Sequence, residues 1–252
     1  MKLSAVILTL NEEKNIERAI RSCIFANEII ILDDFSTDRT LEIAKNHKVT
    51  IIQRKLNDNY SNQRNYGLKE AKGDWIIYLD ADEEISNDLK KEIQLFLDKE
   101  NDFKVAYIKR RDFWWGKVLK HGEVRKVYTK GLTRLIKKNS GLWKGQVHEE
   151  FVFNGLSTTF DNYINHYPHP TIKEFIESIN KYSSLRSEEL YRLNKKTNIL
   201  DISFTPFFKF INNYIFKLGF LDGIRGFIYS FLMSFHSFLV RTKLYRLNKL
   251  IK

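Results

Sequence analysis

The residues of this chain with the clearest chemical use are carboxylates grouped at the ends of apolar runs. Trp75-Ile76-Ile77-Tyr78-Leu79 has the length and composition of a buried strand and runs straight into Asp80-Ala81-Asp82-Glu83-Glu84. Asp80 and Asp82 are two positions apart, so in extended backbone both side chains leave the same face and can share one divalent cation. Mg²⁺ and Mn²⁺ take oxygen ligands, and Mg²⁺ is commonly held by one or two carboxylates plus the phosphates of a substrate. A second acid pair, Asp33-Asp34, follows the apolar run 28–32. The plain alternative for the Asp80–Glu84 acids is a solvated turn before a helix.

The elements around these acids favour a site. Residues 4–10 read as a strand and 12–25 as a helix with Ile16, Ala19, Ile20, Cys23 and Ile24 on one face. Strands at 28–32, 49–53 and 75–79 alternate with helices at about 41–47 and 61–71, the last closed by Gly73. That alternation predicts a mostly parallel α/β sheet with right-handed crossovers. Ligands of such sheets collect outside the carboxyl ends of the strands, where both acid pairs would lie. The first strand-to-helix turn, Thr9-Leu10-Asn11-Glu12-Glu13, has no glycine, and a P-loop is absent as well. A bound diphosphate would therefore need metal and basic side chains to neutralise it.

The chain has 252 residues, 43% of them hydrophobic, and a formal charge of +11, enough for one large domain or a domain with an appendage. From Ser203 onward there are eight Lys or Arg against one Asp, together with ten of the nineteen Phe. A basic, aromatic tail points to an anionic membrane surface before nucleic acid. The single cysteine, Cys23, cannot form an intrachain disulfide, which fits a reducing compartment. Residues 3–10 are too short for a signal peptide, lack a small-residue cleavage site and meet Asn11-Glu12-Glu13-Lys14 at once, so a cytoplasmic protein is expected.

Five stretches carry a resemblance: Leu8-Thr9-Leu10-Asn11-Glu12-Glu13, Asp33-Asp34-Phe35-Ser36-Thr37-Asp38-Arg39-Thr40, Arg64-Asn65-Tyr66-Gly67-Leu68, Ala71-Lys72-Gly73-Asp74 and Leu79-Asp80-Ala81-Asp82-Glu83. In order and spacing they resemble the nucleotide-sugar half of family 2 glycosyltransferases of the GT-A fold. The resemblance implies a Rossmann-like, mostly parallel sheet with helices on both faces, a small antiparallel acceptor subregion and a C-terminal helical appendage. It implies that Thr9, Asn11, Asp33 and Asp34 hold base and ribose, that Asp80 lies near ribose and metal, that Asp82 binds the metal, and that Arg64 faces base or diphosphate. Phe35 departs from the Gly or Asn common in the family.

Farther on, a helix at 87–97 and a strand at 104–109 lead to Arg110-Arg111-Asp112-Phe113-Trp114-Trp115-Gly116-Lys117. Arg110, Trp114 and Trp115 suit sugar rings and anionic groups and are the acceptor candidates, with a hydrophobic hinge as the alternative. Residues 124–128, 132–136 and 142–148 read as short antiparallel strands. Transfer to a sugar hydroxyl needs a base, and Trp143-Lys144-Gly145-Gln146-Val147-His148-Glu149-Glu150 supplies Glu149 as first choice and Glu150 as second. His148 orients that glutamate or touches the acceptor or diphosphate. The His-Glu pair resembles lipopolysaccharide core glycosyltransferases within family 2. His166, matched in the same enzymes, is the candidate third metal ligand.

The tail is also similar to those enzymes, notably at Lys217-Leu218-Gly219-Phe220-Leu221-Asp222-Gly223-Ile224-Arg225-Gly226-Phe227. Fifteen uncharged residues lie between Arg225 and Arg241. As a helix they reach about 22 Å, short of the roughly 30 Å hydrocarbon core, so interfacial contact or docking on its own protein is expected rather than a span. Ser230, Ser234 and Ser237 form a polar stripe opposite an aromatic face.

The expected division is 1–100 for the nucleotide-sugar half, 101–165 for the acceptor and catalytic half, and 166–252 for a helical membrane-interface region with possible homo-oligomer contacts. The resulting expectation is a metal-dependent transferase, inverting as the resemblance implies. It moves a sugar from a nucleotide diphosphate, UDP-hexose foremost, to a lipopolysaccharide-core or lipid-linked acceptor at the inner-membrane surface. The rivals are a sugar-nucleotide nucleotidyltransferase, a two-carboxylate hydrolase, and a non-enzymatic basic module binding membrane or nucleic acid.

Overall fold

The computed structural model of the chain describes residues 1–57, 59–145, 149–168 and 171–249. The chain folds as two compact units, Met1–Arg111 with Val127–His166, and Asp112–Lys126 with Tyr167–Lys252.

The first unit begins β1 (Leu3–Thr9), α1 (Ile16–Ser22), β2 (Glu28–Asp33), α2 (Thr40–Lys45), β3 (Thr50–Gln53), α3 (Tyr60–Glu70), β4 (Trp75–Asp80). It continues through β5 (Glu83–Ile85), α4 (Asn87–Asp98) and β6 (Phe103–Trp114), whose last residues enter the second unit before β7 (Lys117–Leu119) and α5 (Arg125–Lys130). Then come β8 (Leu132–Lys137), β9 (Gly141–Lys144), β10 (Glu150–Phe153) and β11 (Leu156–His166). Among the described residues the main sheet of this unit runs β3-β2-β1-β4-β8-β6-β11-β5, and β9 and β10 form a separate hairpin. β3, β2, β1 and β4 are parallel, while β8 joins β4 antiparallel.

The central strands are apolar on both faces because both are covered. Ala5, Val6 and Ile7 of β1 and Ile76 to Leu79 of β4 are fully buried. Ile16, Ile20, Leu89 and Ile93 from α1 and α4 cover one face. Leu68, Ala71, Trp143 and Phe151 cover the other. α3 comes so close that a Cβ on Gly67 would stand 2.7 Å from Val6 Cγ1, which explains glycine there.

Helix α1 is shorter than its sequence pattern predicts. Asn11 sits at φ +55° and residues 12–15 form a turn, because Asn11 is bonded to the loop after β2 rather than opening a helix. The strand expected at 124–128 is instead a 3₁₀ turn at Gly122–Val124 continuing into α5. The short Val124–Tyr128 alternation lost to local context: Gly122 and Gly131 turn the chain at positive φ on either side, and Glu123 is anchored by Asn213 at 2.7 Å.

The second unit adds α6 (Ile172–Arg192), α7 (Ile199–Ile211) and α8 (Gly223–Lys249). Asp222 ties the 112–126 segment to this unit, its carboxylate accepting from the amides of Lys120 and His121 and meeting His121 Nδ1 at 2.9 Å. The stretch Gly219–Lys249 is long and apolar enough, by length and composition, to cross a membrane. It passes that test, unlike the sequence estimate, because the helix runs on through the charged residues that bound the fifteen-residue uncharged run.

Candidate active site

Register brings the acids together. β1 lies between β2 and β4, with Thr9 level with Asp33 and Leu8 level with Asp80. The carboxyl end of β1 is thus flanked by both acid pairs, as expected for an open α/β sheet. The short strand β5 then pairs with β11 so that His166 stands level with Glu83. That pairing brings His166 Nε2 to 3.1 Å from Asp82 Oδ2.

Asp33 is fully buried and holds the turn after β2, accepting from the amide and hydroxyl of Ser36 and from Gln53 Nε2 at 3.1 Å. Asp34 Oδ1 accepts from the Leu56 amide at 2.8 Å, and Asn11 Oδ1 from the Thr37 amide at 2.8 Å. In this arrangement Asp33, Asp34 and Asn11 shape the rim of the crevice. Phe35 takes φ +59° in that turn and leaves its ring 46% exposed. Thr9 Oγ1 is buried with no hydrogen-bond partner among the described residues.

Arg64 occupies the centre. Its guanidinium is caged by the Tyr78 and Trp143 rings, 5.4 Å and 5.1 Å from their centroids. Nε donates to Glu149 Oε1 at 2.9 Å and Nη2 to Asp80 Oδ1 at 3.3 Å, while Nη1 is buried with no partner among the described residues. Asn65 clamps the β9 edge beside it, bonding both the amide and the carbonyl of Trp143 at 2.9 Å. Glu149 follows that edge and is 15% exposed, whereas Glu150 opens β10 on the exposed side. His148 lies outside the described residues.

The sequence reading missed Arg134. This β8 residue is 4% exposed and joins Asp80 Oδ2 at 2.8 Å to Glu83 Oε1 at 2.6 Å. A lone arginine inside the apolar run 132–136, beside a strand ending in acids, was the available signal. Arg110, an acceptor candidate in the sequence, reaches Glu83 Oε1 at 3.4 Å. Burial pushes the Asp80 carboxyl up, but Arg134 and Arg64 outweigh it and hold it well below the usual range. Burial raises Glu83, only partly offset by Arg134. Burial also opposes ionisation of Asp82, and the His166 imidazole, by charge and hydrogen bond, more than compensates. Glu12 is pushed up to about 7 by burial, with the Asp82 and Asp38 charges adding to it.

Of the aromatic acceptor candidates, one needs correction. Trp114 is 1% exposed, packed edge-on against Phe175 and Tyr229 within the second unit, so its indole is core and the hydrophobic-hinge alternative holds for it. Trp115 stacks on Trp114 with centroids 4.3 Å apart and remains 40% exposed.

The donor set also defines what metal the site fits. Asp82 and His166 converge, Asp80 is engaged by two arginines, and no group of three or more His, Cys, Asp or Glu among the described residues is placed to hold an ion. Such a set fits a hard divalent cation completed by substrate phosphates, not an all-protein cage.

The family model of Glycosyl transferase family 2 matches residues 4–150. An uncharacterized glycosyltransferase of Rickettsia bellii is 28% identical over 98% of this chain and 87% of its own length. The lipopolysaccharide core biosynthesis glycosyltransferase LpsC of Rhizobium meliloti is 25% identical over 99% of this chain and 94% of its own. Staphylococcus aureus TarS 1-349 in complex with UDP-GlcNAc shares the fold at TM-score 0.52 and 17% identity, covering 99% of this chain and 92% of that one. Glucosyl-3-phosphoglycerate synthase of Mycobacterium tuberculosis, solved with Mn²⁺, UDP and glucosyl-3-phosphoglycerate, aligns at TM-score 0.50 and 15% identity over 76% and 79% of the two chains. With a GT-A sheet, acids at the carboxyl ends of its strands and a family match over more than half its length, the chain belongs to glycosyl transferase family 2.

Proposed function

We propose that the chain transfers a hexose from a UDP-sugar, with inversion, to a hydroxyl of a lipopolysaccharide-core or other lipid-linked glycan at the cytoplasmic face of the inner membrane. LpsC supports the acceptor class, and the UDP and UDP-GlcNAc bound by the structural neighbours support the donor class. The observation that carries the mechanism is the shared arginine: Arg64 links Glu149 to Asp80 and keeps a buried N–H without a partner among the described residues.

In this reading Thr9 Oγ1 and Arg64 Nη1 receive the nucleotide, and Asp34 and Asn11 keep the rim of its crevice in shape. Asp82 and His166 would hold a Mg²⁺ or Mn²⁺, which when bound neutralises diphosphate charge. Glu149 takes the proton of the acceptor hydroxyl as that oxygen bonds to the anomeric carbon and the bond to the nucleotide diphosphate breaks. The Arg64 guanidinium, 2.9 Å from Glu149 Oε1, fixes where that carboxylate stands. Arg134 positions Asp80.

Calorimetric titration with UDP, GDP and CDP, each with and without Mn²⁺ or Mg²⁺ and repeated on Asp82→Ala, tests this. UDP binding that needs metal and disappears in the variant is expected; a folded sample that binds none of the three overturns the reading.

A further inference from the structure

The second unit places its polar and apolar residues in the reverse of the usual order. The buried side of α8 carries Gly226, Ser230, Ser234 and Ser237 together with Leu232, Val240 and Leu244. Ser234 Oγ donates to the Pro206 carbonyl of α7 at 2.6 Å, so the serine stripe identified in the sequence is spent on helix packing. The aromatic side of the pair is left outside. Phe204, Phe207, Phe208, Phe216, Leu221 and Ile224 are each between 54% and 72% exposed. A water-facing helix buries its apolar face and exposes its polar one. Small and hydroxyl residues between helices with large apolar groups facing outward is the packing of helices in an apolar medium.

These side chains all fall within residues 204–224, the end of α7 and the turn into α8. Phe204, Phe207 and Phe208 share one side of α7 by their spacing, and their rings lie 5.6 Å to 6.5 Å apart. Ring contacts continue from Phe210 through Tyr214 to Phe220 and Phe227. At roughly 100 Å² for each half-exposed side chain, the six residues named above present an area at the upper end of the largest patches on soluble monomers.

Charge identifies the occupant. Lys195 and Lys196 precede α7, Lys217 and Arg225 follow it, and Arg246 and Lys249 end α8. The acids on this stretch are already committed, Asp201 to the capping box that starts α7 and Asp222 to His121. Arg225 donates to the neutral Trp115 carbonyl, so its charge is not cancelled there. A two-fold dimer would place the same cationic rim against itself, whereas an anionic bilayer satisfies aromatic face and rim together.

We propose that the exposed aromatic face of the α7–α8 pair docks on the surface of an anionic lipid bilayer, its Phe, Leu and Ile side chains entering the headgroup boundary and its Lys and Arg side chains meeting lipid phosphates. This goes beyond the transferase reading: it names the docking surface and stands on the second unit alone.

Co-sedimentation of the full chain with vesicles tests it, comparing phosphatidylcholine mixed with phosphatidylglycerol at about 7:3 against phosphatidylcholine alone. Binding about ten-fold or more stronger to the mixed vesicles, and weakened by salt, is expected. Phe216→Glu and Phe207→Glu should each reduce it without moving the thermal midpoint, because both rings are more than half exposed. Leu95→Glu, at an apolar residue of α4 that is 62% exposed, should leave it unchanged. Failure of the unmodified protein to bind mixed vesicles overturns the proposal. So does a dimer in solution that the Phe variants dissociate while vesicle binding stays absent. No donor nucleotide enters the assay, so either reading can fail without the other.

Discussion

Arg64 Nε lies 2.9 Å from Glu149 Oε1, joining a helix residue to a loop residue 85 positions later, and the same guanidinium reaches Asp80. Glu149, the proposed base, and Asp80 therefore share one cation. Under the proposed function, a diphosphate at Arg64 Nη1 would compete for the charge that engages Glu149, coupling donor binding to release of the base.

Glu149→Gln removes the proposed base and leaves volume and position nearly unchanged. The turnover number is expected to fall by about 10²–10⁴ while UDP affinity stays close to that of the unmodified enzyme. Stopped-time assays alongside calorimetry on the same preparation check this, and Glu150→Gln should cost far less because its side chain is exposed.

Arg64→Lys keeps the charge but loses the planar fork that spans Glu149 and Asp80. Weaker UDP binding and a lower kcat/KM together are expected, read from titration and initial rates. A change in kcat alone would contradict a role in donor binding.

Arg134→Met leaves the Asp80 and Glu83 carboxylates without their common partner in a buried setting. Breaking such a bridge from one side costs about 3–5 kcal/mol. Urea unfolding should show that loss. Glu83→Gln should cost less, since burial already raises the pKa of that carboxyl and the amide oxygen can still accept from Asp80 N.

Glu12 is pushed up to about 7 from its ordinary 4.5 by burial, reinforced by Asp82 and Asp38 and opposed by the Asn15 hydrogen bond and His166. Between those values the folded chain binds more protons than the unfolded one, so the stability tied to Glu12 is complete below pH 4.5 and falls as pH rises through 7. In metal-free buffer, Glu12→Gln should raise the thermal midpoint at pH 8 and leave it unchanged near pH 4.

Gly226→Ala places a methyl group against the Gly219 carbonyl oxygen, backbone against which nothing flexible can yield. Overpacking of this kind costs about 1–3 kcal/mol. The loss should appear in thermal unfolding, while Gly223→Ala, where a Cβ meets nothing but φ is +64°, reports backbone strain alone.

Parts of this site were legible because local pattern encodes them. Apolar runs ending in Asp33-Asp34 and Asp80-Ala81-Asp82 announce strands that deliver acids, and the parallel register puts them on either side of β1. Gly67, part of a motif in the sequence, is explained by the close approach of α3 to Val6. The 124–128 segment was misread because five residues of alternation cannot outweigh their surroundings.

By itself the sequence determined the strand and helix alternation, the acids at the strand ends, the buried thiol of Cys23 and the resemblance to a transferase family, since each depends on residues close together in the chain. Only the tertiary structure decided that Arg64 bridges Glu149 and Asp80, that Arg134 on β8 holds Asp80 and Glu83, that Trp114 is core, and that the α8 serines face inward. The physical reason is that a long arginine or an aromatic ring takes its role from whatever the fold places within a few ångströms of it, and those partners lie 16 to 85 residues away in the two arginine networks.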